Sequence, residues 1–332
     1  MSDRNYAIDL FKFVFSLMVI GIHTNVLYDV NENLGFFFRI IFSIAVPFFA
    51  VCSGYYLSRT IEKNNTVKVK KQEIKLIKLY AIWSFLYLIY SIPGWISYEW
   101  FSFWAFVDFG IATIKSASHY HLWYLVSLIY ALPVFFLCVK YIKNKNIIFS
   151  IAAILYTIKV LTYAYRSIVP NFINTFFACL EEFAALFNAI FLILPFMLLG
   201  YIISKGKAWS RKNLIIGFAI SFALLCCEAF TLKRVDIGII SFIFGTFPVV
   251  FFVFSIIMQI NWKPNNEKAV YLLGASSLVI YCLHPMIIET IINWIGRSVG
   301  LFLLTAIISV AASIGLILLK CRIIKTFRKQ KS

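Results

Sequence analysis

YAIDLFKFVFSLMVIGIH, residues Tyr6–His23, decides the fold. Together with the residues up to 28 it makes an apolar run long enough to cross a bilayer as a helix, which takes about 20 residues. Three of its groups, Asp9, Lys12 and His23, are ones that a spanning helix normally excludes. At about 100° per residue, Lys12 and His23 fall within about 20° of one another, three turns apart. Asp9 and Ser16 lie within about 40–60° of the same line. A polar stripe therefore climbs one face, from an acid–base pair near the entrance to an imidazole about 16 Å deeper. Ionisable groups inside a span are costly, and that cost marks the stripe as a candidate site.

The rest of the chain repeats the apolar character. Hydrophobic residues make up 62% of 332 and charged residues 14%, and the mean hydropathy is +0.87. A soluble globular chain is about half apolar and a quarter charged, so an integral membrane protein is expected. Apolar runs fall near residues 6–28, 37–57, 79–98, 120–139, 147–165, 184–203, 213–231, 237–260, 269–292 and 298–319. They are far longer than barrel strands of about 10 residues. Backbone hydrogen bonding in lipid then demands helices. The expected fold class is all-α, a polytopic membrane helical bundle of about ten transmembrane helices. No repeat and no Gly/Ser/Pro-rich linker separates a second domain, so 1–332 reads as one membrane domain with a basic tail at 320–332. Residues 1–5 are a short polar leader, and no small-residue cleavage motif follows the first span.

The formal net charge of +17 is mainly a topology signal. With the N-terminus in the cytoplasm, the inside segments 1–5, 58–78, 140–146, 204–212, 261–268 and 320–332 hold 23 of the 31 Lys and Arg. The positive-inside rule therefore orients the chain N-in and C-in, as a multi-pass protein of the plasma membrane. The cations match the anionic inner leaflet of the lipid bilayer, and nucleic-acid binding is excluded. The seven cysteines lie mostly in apolar runs, at spacings that form neither a metal cluster nor a disulfide framework. No metal is expected.

Further polar groups mark a candidate site along the chain. The second span ends in VPFFAVCSGYYLSR, where Ser53-Gly54 lets another helix approach closely. The longest basic run inside the cell follows, with Lys70, Lys71, Lys75 and Lys78 entering the third span. It reads as an anchor in the headgroups or as a phosphate-binding lip. Glu99–Ser118 is rich in Trp and Phe and is expected to be an interfacial helix or a re-entrant lid rather than a span. It leads into SHYHLWYL, where His121, Trp123 and the neighbouring His119 form an outer surface suited to a ring-bearing polar ligand such as a sugar. Lys159, Arg166, Glu181, Glu182, Glu228 and Asp236 are expected in the outer half or outside loops, with Glu181 and Glu182 solvated and Glu228 in a surface pair with Lys233 and Arg234. In the ninth span, GASSLVIYCLHPMIIE places Ser277, Tyr281 and His284 at i, i+4, i+7, with Pro285 loosening the ladder beside His284. His284 is expected at the depth of His23.

Three of these features together resemble the acyltransferase-3 family of integral membrane acyltransferases. They are the Asp-x-x-(Arg/Lys) pair followed by His (Asp9, Lys12, His23), the FF-x-x-x-SGY/F signature closing the second span (Phe48 to Tyr55), and the late S-x-x-x-Y-x-x-H-P element (Ser277, Tyr281, His284, Pro285). HLWYL at 121–125 is similar to the family's fourth-span motif. Lys12 stands where most members carry Arg, and an ammonium does not reproduce a guanidinium's bidentate grip. In its Phe-Lys-Phe form the chain looks like the branch containing the membrane half of vancomycin-resistance serine racemases. There a cytoplasmic racemase domain follows the last span, so a cytoplasmic C-terminal domain or partner stays open here.

The resemblance implies O-acyl transfer. Acetyl-CoA, as co-substrate, would enter from the cytoplasm with its phosphates on Lys70, Lys71, Lys75 and Lys78. His23 would be general base or acyl carrier, with Asp9 and Lys12 near the donor. His284 and Tyr281, with Ser277, would orient the acceptor or stabilise the oxyanion. His121, Trp123 and Ser53 would shape acceptor binding, the acceptor being a hydroxyl of a cell-envelope glycan or a similar small molecule. Two alternatives stay open. One is an L-serine-transporting membrane domain, with Asp9 or Glu289 on the ammonium and Lys12 on the carboxylate. The other is an exporter of a polysaccharide or lipid-linked sugar.

Overall fold

The computed structural model describes residues 4–63, 65–206, 209–234 and 242–329, with side chains described as far as residue 323. In chain order the helices are α1 (Tyr6–Thr24), α2 (Glu32–Phe42), α3 (Ala45–Glu62), α4 (Thr66–Ser97) and α5 (Phe103–Lys115). Then come α6 (Trp123–Tyr141), α7 (Lys145–Tyr163), α8 (Asn171–Glu181), α9 (Ala184–Asn188) and α10 (Leu194–Lys205). The last are α11 (Arg211–Arg234), α12 (Thr246–Met258), α13 (Glu267–Ile295) and α14 (Val299–Lys329). The described residues contain no strand, and nine helical stretches among them are long and apolar enough to cross a membrane. The protein is an all-α, polytopic helical bundle. Of the expected span at 237–260, the described part forms the 13-residue α12, which starts at Thr246 after bend and turn at 242–245; residues 235–241 lie outside the described residues. The basic tail likewise lies largely outside them.

Contacts group the chain into two compact units, residues 1–45 with 253–332, and residues 46–252. In the first, α13 packs along α1 and against α14, and α2 packs on α1. Helix α1 begins at an N-cap, Asn5, whose side chain accepts from the Ile8 N–H, which satisfies one of the orphan donors of the first turn. It stops at Thr24 because Asn25 turns left-handed (φ 51°) and returns its N–H to Gly21 and Ile22. The first span is thus shorter than the expected 6–28, and residues 25–30 are turn.

Three contacts fix how α1 and α13 align. The Tyr6 hydroxyl donates to Glu267 at the foot of α13. A Cβ on Gly274 would lie 2.6 Å from Asp9 Cβ and 3.0 Å from Asp9 Cα. Higher up, the ring of His23 faces that of His284. The order is the same on both helices, so they run parallel. Gly274 is required because any side chain there would separate them.

In the second unit, α10 is the centre: every residue from Leu194 to Tyr201 is buried. A helix that is apolar all round belongs in a core. It lies backbone-to-backbone on α3, since a Cβ on Gly54 would meet the carbonyl of Met197 and one on Gly200 the carbonyl of Val51. Further along, Ser58 donates to Ser204 at 3.0 Å and Lys205 pairs with Glu62 at 2.6 Å. Residues 189–193 form a wide π turn leading into α10. Pro195 explains it: with no N–H, it leaves the Phe191 carbonyl without its helical donor.

The aromatic stretch after α4 forms α5, which has no buried residue; Phe103 is 73% and Trp104 68% exposed. Helix α8 was not anticipated from the sequence. Its Phe172, Phe176 and Leu180 recur at i, i+4, i+8 and are all exposed. Eleven residues are too few to span, so a hydropathy criterion passes over it.

Candidate functional site

In the first unit, α1 and α13 bring together all six sequence-predicted site residues that they carry. At the foot of the pair, Arg4 Nε donates to Asp9 Oδ2 at 2.5 Å, while Lys12 Nζ stands 3.9 Å from Asp9 Oδ1. The Asp9–Lys12 pairing expected from the sequence is therefore the longer of two, and Arg4 is the residue the sequence reading missed. The guanidinium also covers the Tyr271 ring, 4.2 Å from its centre. Asp9 is buried (8% exposed), so the two cations supply much of what water would otherwise give its carboxylate. The signal lay in Asn5: once it is the N-cap, Arg4 sits just outside the first turn, within reach of Asp9.

At the other end, the His23 and His284 rings lie 5.1 Å apart, tilted by 37°. Each histidine is seventeen residues on from the first residue of its helix, about 25 Å along the axis. His284 is fully buried, and its Nδ1 is 3.1 Å from the Ile280 carbonyl. A carbonyl only accepts, so Nδ1 carries the hydrogen and, in the neutral ring, Nε2 is the acceptor. Pro285 has no N–H, so the Tyr281 carbonyl loses its ordinary helical donor one turn below. The Tyr281 ring centre is 6.3 Å from that of His284. Ser277 is buried and donates to its own helix, to the Gly274 carbonyl at 2.8 Å. Ser16 does likewise, to Phe13 at 2.7 Å.

The second unit carries the remaining predicted residues in three separate places. Lys70, Lys71, Lys75 and Lys78 are all exposed in the first four turns of α4, and no described carboxylate lies within ion-pair distance of any of them. Ser53, on α3, donates to the Phe49 carbonyl at 3.0 Å and is hydrogen-bonded to the Tyr124 hydroxyl. His121 is buried, 1% exposed, and its Nδ1 is 3.3 Å from Nδ1 of His119, so one ring donates to the other. Tyr87, which the sequence reading did not single out, is wholly buried against both: its ring stacks on His119 at 4.3 Å and lies 4.9 Å from His121. Trp123 is half-buried, its ring edge-on to Phe242 and Tyr124. Tyr80 holds the approach to this pair by donating to the Thr113 carbonyl at 2.7 Å and accepting from the Ser118 N–H at 3.1 Å.

The outer charges differ from expectation. Glu228 does not serve a surface pair with Lys233 and Arg234. Its carboxylate accepts from the Tyr165 hydroxyl at 2.8 Å and from the N–H groups of Phe244 and Gly245 at 2.9 and 2.7 Å. These amides lie just ahead of α12, where orphan donors and the helix dipole favour an anion. Burial and the Glu228 carboxylate push the Tyr165 phenol above its usual range. Glu181 is not simply solvated, because Arg166 holds it at 3.1 Å. Lys159 is 5% exposed, with Nζ 4.4 Å from the Tyr163 ring centre and 5.0 Å from that of Phe187. Each such contact is worth about 0.5–2 kcal/mol, against a desolvation cost of several kcal/mol for a buried ammonium. Asp236 lies outside the described residues.

Comparison with known proteins gives the family of the chain. The family described as an acyltransferase domain matches residues 5–320, which include all thirteen predicted site residues. The chain is 30% identical to an amino-acid racemase of Enterococcus faecalis over 236 residues, 69% of this chain and 32% of that protein. It is 26% identical to a serine/alanine racemase of Enterococcus gallinarum over 295 residues, 85% of this chain and 40% of that one. A second amino-acid racemase of Enterococcus faecalis is 27% identical over 308 residues, 87% and 42%. The chain thus spans well under half the length of these relatives. No solved structure matches it. With a family match over nearly its whole length and nine helical stretches long and apolar enough to cross a membrane among its described residues, the chain belongs to the acyltransferase-3 family and is a multi-pass membrane protein.

Proposed function

We propose that this protein moves an acetyl or other short acyl group from cytoplasmic acyl-CoA to a hydroxyl of an extracytoplasmic cell-envelope glycan or similar acceptor. The observation that carries the reading is the His23–His284 pair, 5.1 Å apart on parallel helices whose opposite end holds Arg4, Asp9 and Lys12. The chain is read N-in and C-in, which sets the charged end of α1 toward the cytosol and the imidazoles toward the acceptor.

The acceptor oxygen attacks the thioester carbonyl as His23 takes its proton. A C–O bond forms, the C–S bond breaks, and the proton passes to the departing CoA sulfur. His284, its tautomer set by the Ile280 carbonyl, presents Nε2 as a hydrogen-bond acceptor and so orients the acceptor hydroxyl. The oxyanion is steadied by the Tyr281 hydroxyl, and by Nε2–H only once His284 is protonated. Lys70, Lys71, Lys75 and Lys78 are the exposed cations for the phosphates of acetyl-CoA, and Asp9 with Lys12 serves the donor end. Ser277 and Ser53 are satisfied within the protein, which favours a positioning role for both. His121, on the Tyr87 platform, and Trp123 contribute to acceptor recognition.

The test is the alkali-labile acetate of the cell-envelope polysaccharide in cells making wild-type or His23→Ala protein at equal membrane level. His23→Ala is expected to remove the acetylation that wild type adds, and retention at the wild-type level overturns the scheme. The names of the matching relatives favour one other reading, a membrane domain that moves L-serine for a racemase. Thermal stabilisation of the purified protein by CoA supports acyl transfer, whereas stabilisation by L-serine and not by CoA supports transport.

A further inference from the structure

The buried ammonium of Lys159 belongs to neither histidine pair. It lies one turn before the end of α7, inside the second unit, with its Nζ against the faces of Tyr163 and Phe187. No carboxylate of a described residue is within 4 Å of it, and no described group accepts a hydrogen bond from it. Glu181 acts on it through space but is already bonded to Arg166. Arg166 and Lys159 thus both answer to Glu181, and the more buried of the two has ring faces rather than an anion for company. Ring faces offset only part of what a desolvated ammonium loses, and a bound anion offsets the rest.

We propose that the Lys159 niche is an anion-recognition site, taking the carboxylate or phosphate of an acidic sugar, with Lys159 as its ion-pair partner and Tyr163 and Phe187 as aromatic walls for the sugar ring. Flat apolar faces beside one cation suit a ligand with both a ring and an acid group. The assignment goes beyond acyl transfer: it concerns binding within the second unit and requires no chemistry there.

The experiment is thermal unfolding of the full chain in phosphatidylcholine nanodiscs, which keeps anionic headgroups out of the assay. The probes are D-glucuronate, D-glucose 6-phosphate, L-serine and neutral D-glucose. At least one sugar acid is expected to raise the wild-type Tm by several degrees where glucose does not, and Lys159→Met is expected to abolish that rise. The effect of acetyl-CoA on Tm should be the same in both proteins, so loss of the anion site and failure of the acyl-transfer reading are read separately. A rise with L-serine alone that Lys159→Met removes keeps the carboxylate site but assigns it to an amino acid, which overturns the sugar. If no acidic probe exceeds glucose in wild type, or if Lys159→Met responds as wild type does, the site itself is overturned. Should Lys159→Met fail to fold, Lys159→Gln carries the same comparison, and the wild-type contrast stands without either variant.

Discussion

The imidazoles of His23 and His284 face one another at 5.1 Å from two parallel helices, although 261 residues separate them in the chain. If they act as a unit, His284→Ala is expected to lower acyl transfer by about 10²-fold or more, as His23→Ala does. The double variant should be little worse than the poorer single one, since members of one catalytic unit are strongly non-additive. Rates in proteoliposomes for both singles and the double check this, and multiplying losses would show two independent roles.

Gly274 sets how near α13 comes to Asp9. Its added Cβ would meet Asp9 Cα and Cβ, atoms that cannot swing aside. Gly274→Ala is therefore expected to cost about 1–3 kcal/mol, as overpacking typically does. A lowered Tm with a weakened response to CoA is the expected pair of readouts.

On the core of the second unit, Gly200→Ala should be more damaging, because its Cβ would lie 2.3 Å from the Val51 carbonyl oxygen and 2.7 Å from the Tyr55 nitrogen, a closer overlap with backbone than at Gly274. The loss expected is at least about 2 kcal/mol, measured by thermal unfolding in detergent. Gly315, whose added Cβ meets nothing within 4 Å, is the control: alanine there should be neutral or slightly stabilising.

Arg4 and Asp9 should differ although they bond to each other. The Arg4 side chain is 42% exposed and that of Asp9 11%. Arg4→Met is expected to cost less than about 1 kcal/mol, in keeping with exposed ion pairs. Asp9→Asn withdraws the anion from two cations and should cost more. Denaturation of the two variants side by side tests the order.

Tyr165 makes stability depend on pH at the alkaline end. Its phenol is raised in the folded protein by burial and by Glu228, so the folded state holds that proton more tightly than the unfolded chain does. The contribution is complete below the ordinary phenol range, near pH 10, and is lost as pH rises above it. Tyr165→Phe should flatten the alkaline fall in Tm, whereas an unchanged profile would place that fall on other groups.

How much was legible in the sequence depended on whether the signal was periodic. Bilayer-length apolar runs announce helices because lipid leaves the backbone no other partner. The stripes Asp9–Lys12–His23 and Ser277–Tyr281–His284 stand out because polar groups are expensive there. Arg4 was hidden because it sits outside the first turn and reaches Asp9 only once Asn5 has capped it. Glu228 was assigned the cations next to it in sequence, whereas its carboxylate is taken by amides sixteen and seventeen residues on. Lys159 was assigned to the outer half of the bundle, but its burial depends on a ring from α9, which no local pattern reports. The Tyr87 stack on His119 is of the same kind, a contact across 32 residues.

The shared seventeen-residue offset of the two histidines turns chain length into a measuring rod. One apolar residue inserted in α1 between Asp9 and His23 would barely change composition or hydropathy. Yet it would swing the imidazole by about 100° and lift it about 1.5 Å, out of line with its counterpart on α13. The site is held in register by counting, and that places a stricter demand on the spacing within these two helices than on most of the residues that fill it.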